Sequence, residues 1–156
     1  MKALVYTDKE TLNYIEEDDI FAKEGETLIK VSATGICGSD MHAYHGHDDR
    51  RLPPLILGHE ISGINQINNT PVVINPLITC KSCQKCTTGR EHLCSNRGLL
   101  GMTKPINRPG GFAEFVSVPN QNISSVPTEV DLNSLSLTEP RQLPSMRLKL
   151  QNNQVL

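Results

Sequence analysis

The chain is 156 residues long, which is enough for one domain with a packed core but not for two large domains. Its formal net charge is −2, so the sequence does not predict the basic surface that binds nucleic-acid phosphates or acidic lipids. No apolar run approaches the roughly 18 residues that cross a bilayer, and the N-terminus becomes polar too soon for a signal peptide. These features predict a soluble, cytoplasmic protein that binds neither nucleic acid nor membranes.

Short strands separated by Gly and Pro dominate the chain, and they predict a mainly β fold with minor α, built as an irregular β-barrel. The clearest strand is 27–34, where apolar and polar side chains alternate with a period of two residues. A short helical turn is predicted over 40–47, and Asp131 can cap a second short helix. The predicted strands are residues 2–6, 27–34, 55–64, 72–75, 112–118 and 146–150.

Four of the five cysteines lie close together with the spacing C-x2-C-x2-C-x7-C. Zinc prefers four tetrahedral ligands, and four thiolates form a closed structural site. The polar segment around them, about 79–96, is therefore predicted to be an irregular lobe held by zinc through Cys80, Cys83, Cys86 and Cys94. Other interpretations are four reduced thiols, an iron–sulfur cluster, which usually has a shorter last gap, and a nucleic-acid-binding zinc ribbon, whose cysteine pairs are farther apart.

A second set of metal-competent residues is dispersed along the chain. Cys37, His59, Glu60 and Glu139 each offer a thiolate, an imidazole or a carboxylate, and mixed ligands of this kind mark catalytic rather than structural zinc. Taken singly, each residue is weak evidence, because a lone cysteine is usually a small core residue and a lone histidine is rarely a ligand.

Together, five separated motifs give a specific resemblance. They are residues 35–40 (GICGSD), residues 58–63 (GHEISG), the four-cysteine lobe, residues 109–115 (PGGFAEF) and Glu139-Pro140. In this order they resemble the zinc-dependent medium-chain alcohol dehydrogenases, and especially the polyol and threonine dehydrogenase branch. The resemblance implies a GroES-like, partly open β-barrel that spans residues 1–140 and carries the structural-zinc lobe.

The resemblance also implies the activity, which is zinc-assisted hydride transfer from a small alcohol or polyol to NAD(P), with two zinc ions per chain. It makes Cys37 and His59 ligands of the catalytic zinc, with Glu60 and Glu139 sharing the remaining position. Glu60 could instead lie outside the ligand set. Asp40 would hold the His59 ring in the ligating tautomer, or would serve only as a helix cap. Ser39 would take the proton of the alcohol, and His42 would pass it to solvent.

The sequence departs from the family after Pro140. There the family continues directly into a dinucleotide-binding domain, whereas residues 141–156 form a short tail and the chain contains no G-x-G-x-x-G motif. We therefore expect a catalytic domain without its nucleotide-binding domain, with no cofactor-binding residues of its own and no activity alone. The alternative is a truncated, non-enzymatic zinc-binding module. The alternating residues 146–150 are a candidate closing strand, and exposed strand edges could support self-association.

Overall fold

The computed structural model describes residues 1–139, and within them it confirms the mainly β fold with minor α. Short helices interrupt the strands at α1 (Gly38–Tyr44), α2 (Gln84–Thr87) and α3 (Leu132–Leu135). The strands in chain order are β1 (Lys2–Asp8), β2 (Thr11–Glu16), β3 (Glu26–Gly35), β4 (Leu55–Ile56), β5 (Glu60–Asn65), β6 (Pro71–Ile74), β7 (Leu77–Ile78), β8 (Gly98–Leu99), β9 (Phe115–Pro119) and β10 (Ile123–Ser125).

A five-stranded antiparallel sheet forms the centre of the fold and curls into half a barrel. Its strand order is β10-β6-β5-β3-β9, so β3 lies between β5 and β9. The register of β3 against β5 shifts between Val31 and Ala33, and beyond this irregularity Gly35 lies opposite Glu60. A shift of this kind bends a strand and re-aims its side chains, and here it determines what faces the end of β3.

Two hydrophobic clusters stabilise this arrangement. The larger one fills the curled sheet and contains Ile29, Ile61, Val72, Ile74, Ile78, Leu100, Val116 and Val118. The smaller one joins β1, α1 and β4 through Tyr6, Ala43, Leu55 and Leu57, with Phe112 packed against it. The second cluster therefore fixes α1 against the rest of the domain.

Two of the predicted strands are shorter than expected. Residues 55–64 are not one strand, because the chain turns at Gly58, where φ is +91°, and so separates β4 from β5. Residues 112–114 precede β9 instead of extending it. Phe112 donates its backbone N–H to Leu57 O at 3.0 Å and accepts one from Leu4 at 2.8 Å. The loop before β9 is therefore shared between β1 and the segment that follows β4.

The remaining predicted elements have mixed outcomes. The helix capped by Asp131 is confirmed, since its carboxylate accepts from the backbone N–H groups of Asn133 at 3.2 Å and Ser134 at 3.1 Å. Strand β2 was not predicted, and its side chains are exposed on both faces. The candidate closing strand 146–150 and the tail 141–156 lie outside the described residues. Among residues 1–139, no helix is long and apolar enough to cross a membrane.

Replacing Ile29 in the larger cluster tests this account of the core. Ile29 is 0% exposed and pairs with Val116 across β3 and β9, so Ile29→Ala leaves a cavity. We expect it to lower the free energy of unfolding by about 2–5 kcal/mol, measured by urea denaturation of the zinc-loaded chain. Ile67→Ala is the matched control, because Ile67 is 78% exposed. Equal losses in the two variants would contradict the proposed core.

Candidate metal centres

The four cysteines of the lobe converge in space. All four sulfur atoms lie within 4.8 Å of one another. The recorded separations are 3.5 Å from Cys94 to Cys80, 3.5 Å from Cys83 to Cys86 and 3.9 Å from Cys80 to Cys86. Zinc–sulfur bonds of about 2.3 Å in a tetrahedron place the sulfurs about 3.8 Å apart, so this donor set fits a structural zinc ion.

Local backbone geometry brings these sulfurs together. Lys81 adopts a positive φ of 57°, which turns the chain between the first two cysteines. Cys83 then precedes the first turn of α2, which carries Cys86 on its buried side. Cys94 directly follows a 3₁₀ turn at Glu91–Leu93. Glu91 also forms an ion pair with Lys81, with 2.9 Å between the Lys81 Nζ and the Glu91 Oε1.

The thiols of the lobe differ in acidity. Backbone N–H groups of Ser82 and Cys83 lower the pKa of Cys80 to about 6. Burial, reinforced by the neighbouring thiols, raises the pKa of Cys86 to about 11. Without a cation the lobe therefore cannot easily hold four thiolates, and metal binding must displace protons from it.

The second group brings together residues from two separate sequence motifs. One ligand atom from each of Cys37, His59 and Glu60 lies within 4.8 Å of the other two. Cys37 follows the end of β3, and His59 and Glu60 stand at the start of β5, so the pairing of these two strands brings the three residues together. His59 and Glu60 are buried, whereas Cys37 is partly exposed.

Asp40 supports this group from the first turn of α1. Its carboxylate accepts from the N–H groups of Cys37 at 3.0 Å and Gly58 at 3.4 Å. Its Oδ1 also lies 3.5 Å from Nδ1 of His59, which is a buried nitrogen without a hydrogen-bond partner. Asp40 thus combines the two roles considered from the sequence, capping the helix and facing the imidazole.

The charges of this group are strongly perturbed. Burial opposes ionisation of Asp40, but His59 and the two N–H groups outweigh it, so the pKa of Asp40 lies below its usual value. Burial lowers the pKa of His59, but Asp40 and Cys37 more than compensate and raise it. Burial also raises the pKa of Glu60, with the charge of Glu139 acting in the same direction. A cation among these groups would stabilise the ionised carboxylates and the thiolate.

The convergence of three ligand atoms and the unpartnered Nδ1 of His59 both indicate that the second group suits a metal ion. The orphaned Nδ1 of His59 needs an acceptor such as Asp40, and a proton there leaves the other ring nitrogen free to ligate. The role of Gly58 was missed from the sequence. Its positive φ turns the chain directly before His59, and its N–H contacts Asp40. The signal for it is a glycine immediately before a candidate ligand.

The other predicted site residues, Ser39, His42 and Glu139, line two further cavities. Ser39 and His42 on α1 line a solvent-facing cavity of about 400 Å³ together with His47, Asp48, Asp49 and Arg50. Glu139 does not belong to the three-residue group among the described residues. It lines a separate cleft beside β6, β7 and Leu99. The structure therefore brings together three of the four predicted ligands and places the fourth within electrostatic range of Glu60.

Comparisons with known proteins identify relatives of this chain. The 2-dehydro-3-deoxy-L-galactonate 5-dehydrogenase of Pseudoalteromonas atlantica is 36% identical over 150 residues, which cover 90% of this chain and 43% of that protein. The L-threonine 3-dehydrogenase of Caldanaerobacter subterraneus is 36% identical over 143 residues, covering 80% of this chain and 40% of that protein. The crystal structure of galactitol-1-phosphate dehydrogenase from Escherichia coli matches with a TM-score of 0.81 and 26% identity, covering 90% of this chain and 42% of that one.

The chain thus spans less than half the length of these relatives, and the matched part contains both groups of candidate metal ligands. The resemblance to zinc-dependent alcohol dehydrogenases of the polyol and threonine type is confirmed. Residues 23–128 match the model of the alcohol dehydrogenase GroES-like domain, and so this chain belongs to that domain family.

Proposed function

We propose that residues 1–140 form the zinc-binding catalytic part of a dehydrogenase that transfers a hydride from a small alcohol or polyol to NAD(P). The observation that carries this proposal is the convergence of Cys37, His59 and Glu60 on one point. A thiolate, an imidazole and a carboxylate form the mixed donor set of a catalytic zinc, which keeps a position for water or substrate.

Each side chain of the centre has a distinct task. When bound, the zinc ion acts as a Lewis acid toward the oxygen of the substrate. Cys37 and His59 would hold the ion, and Asp40, whose Oδ1 lies 3.5 Å from Nδ1 of His59, would favour the tautomer that carries its proton on that nitrogen. Glu60 would supply a carboxylate oxygen, which lies within 4.8 Å of the ligand atoms of Cys37 and His59. Glu139 is proposed as the alternating carboxylate, supported by its effect on the pKa of Glu60.

Proton transfer is proposed to run along α1. The Ser39 hydroxyl receives the proton of the substrate and the His42 imidazole passes it to water, since a hydroxyl and an imidazole can both accept and donate. Support comes from their position in one helix and from the cavity open to solvent that both line.

The four-cysteine lobe has a structural task in this proposal. Leu93 is an exposed residue of the lobe, and only Cys86 and Cys94 bury their side chains among its cysteines, so a hydrophobic core cannot hold it. Zinc binding supplies on the order of 10–16 kcal/mol in comparable small sites, which is ample to fold such a segment. Residues 79–96 are therefore proposed to fold around the ion.

The cellular compartment of the chain and its self-association are also proposals. Free thiols, including four in one cluster, fit a reducing compartment such as the cytoplasm. The edge strand β2 exposes Leu12, Tyr14 and Ile15, which supports self-association through strand edges. The tail 141–156, as a unit separate from the domain 1–140, stays a prediction.

Elemental analysis tests the two metal centres separately. We expect two zinc ions in the fully loaded chain, because the two ligand sets share no residue. Cys37→Ser and Cys83→Ser should each lose one ion and keep the other, measured by mass spectrometry of the metal content after dialysis. Gln84→Ala, an exposed position beside Cys83, is the control and should keep both ions. A wild-type chain with one zinc or fewer would contradict the catalytic centre.

Asp40→Asn tests the support of His59. The pKa of Asp40 is lowered, so its carboxylate is charged at neutral pH and favours the N–H tautomer of Nδ1. We expect the amide to weaken zinc binding at the Cys37 centre by about 10–100-fold, with no change at the lobe, in competition titrations with a chromophoric chelator. Asp49→Asn, the same change at an exposed position, should leave both affinities unaltered. Unchanged affinity in Asp40→Asn would remove the proposed role of Asp40.

Hydride transfer requires a nicotinamide held about 3–3.5 Å from the reacting carbon. Because the chain contains no G-x-G-x-x-G motif, we expect the zinc-loaded chain alone to reduce neither NAD nor NADP with any polyol tested. A chimera that joins residues 1–139 to the part of the Pseudoalteromonas relative beyond the matched region should reduce the cofactor, followed by absorbance at the wavelength of NADH.

The same chimera with Cys37→Ser is the matched control and should fall to background. A folded, zinc-loaded chimera without activity would favour the alternative of a non-enzymatic zinc-binding module. Zinc-dependent cofactor reduction by the chain alone would instead show that it binds the cofactor without a partner domain.

A further inference from the structure

Gly35 faces Glu60 at the last pair of the β3–β5 register. A Cβ atom added to Gly35 would overlap Oε2 of Glu60, and it would lie 3.0 Å from the carboxyl carbon and 3.1 Å from Cβ of Glu60. The carboxyl group of Glu60 therefore occupies the space that a side chain at position 35 would need.

Backbone conformation does not explain the glycine at this position. Gly35 is absent from the described residues with positive φ, so its backbone is one that other residues can adopt. Space alone demands glycine here. Gly38, on the other side of Cys37, offers a contrast, since a Cβ added there would meet no atom within 4 Å.

Rotation of Glu60 cannot relieve this overlap without moving the carboxylate. The Cβ of Glu60 is fixed by the pairing of β5 with β3, and it would itself be in tight contact with the new atom. The side chain is buried, so the surrounding protein restricts other rotamers. Any residue larger than glycine would therefore drive the carboxylate away from Cys37 and His59 or separate the strands.

The structure assigns Gly35 the role of a positioning residue. Because it has no side chain, it leaves the space in which the Glu60 carboxylate lies beside Cys37 and His59. This inference rests on the proposed metal centre and adds to it a residue that donates no ligand. It makes the backbone of β3, as well as the ligand atoms, part of what determines the position of the Glu60 carboxylate.

Zinc titrations of the full chain test this role. The metal-free protein is titrated in competition with a chromophoric chelator, and the step that depends on Cys37 is followed separately from the step of the lobe. We expect Gly35→Ala to weaken the Cys37 step about 10–100-fold, as is typical when a supporting contact of a ligand is lost. Gly38→Ala should change it less than twofold, and the lobe step should be constant in both variants.

A double variant shows whether Gly35 acts through Glu60. Glu60→Ala removes the carboxylate and leaves only the 3.1 Å contact between the two Cβ positions, which small shifts can relieve. In that background Gly35→Ala should cost less than threefold in affinity, because the interaction has already been removed. Circular dichroism and the lobe step establish that each variant is folded.

The outcomes distinguish this inference from the proposed function. Wild-type affinity in Gly35→Ala, or an equal loss in the presence and absence of the Glu60 carboxylate, overturns the role of Gly35 but leaves the metal centre intact. If the single variant Gly35→Ala fails to fold, the double variant with Glu60→Ala tests the assignment. If the double variant also fails to fold, the role of Gly35 is overturned. If the wild-type chain shows no binding step that depends on Cys37, the proposed metal centre itself is overturned.

Discussion

The pairing of β3 with β5 is the constraint on which the proposed site depends. The register shift between Val31 and Ala33 sets Gly35 opposite Glu60, and Cys37, two residues beyond the end of β3, lies near the start of β5. A slip of one residue would turn every side chain of β5 to the opposite face and would remove His59 or Glu60 from the site. The large hydrophobic cluster fixes this register because Ile29 and Ile61 belong to it. Core packing and ligand geometry are therefore two results of one strand alignment.

Helix α1 links the two sides of this alignment. Asp40 receives one hydrogen bond from Cys37, two residues beyond the end of β3, and another from the turn that precedes β5. Two buried N–H groups are satisfied by one carboxylate, which also faces the His59 ring. Such a shared acceptor is expensive to lose, because its removal leaves several buried polar groups unpaired at once. The helix is short, but its first turn contacts both Cys37 and Gly58 and faces His59.

The sequence predicted what depends on local patterns. The alternation at 27–34 predicted β3, the cysteine spacing predicted a lobe whose sulfurs do converge, and Asp131 predicted the cap of α3. It failed where tertiary contacts override a continuous apolar run. The segment 55–64 is broken by a backbone turn at Gly58, where an added Cβ would lie 2.5 Å from the Phe112 ring. Strand β2 was missed because neither of its faces is buried. The motif resemblance supplied the ligand candidates, but only the pairing of β3 with β5 in the structure showed that Gly35 lies opposite Glu60.

Both candidate metal centres draw their described ligands from short stretches of chain. Cys37 to Glu60 encloses one group, and Cys80 to Cys94 encloses the other. The entropy lost on closing a loop grows with its length, so both rings cost less to close than the pairing of Glu26 with Pro119 across β3 and β9, although the logarithmic dependence limits the difference to about 1–2 kcal/mol. The ligand sets can therefore assemble before the sheet is complete, while β9 must wait for most of the domain to be synthesised. Metal ions available during synthesis would act as early cross-links that reduce the search for the remaining long-range strand pairs.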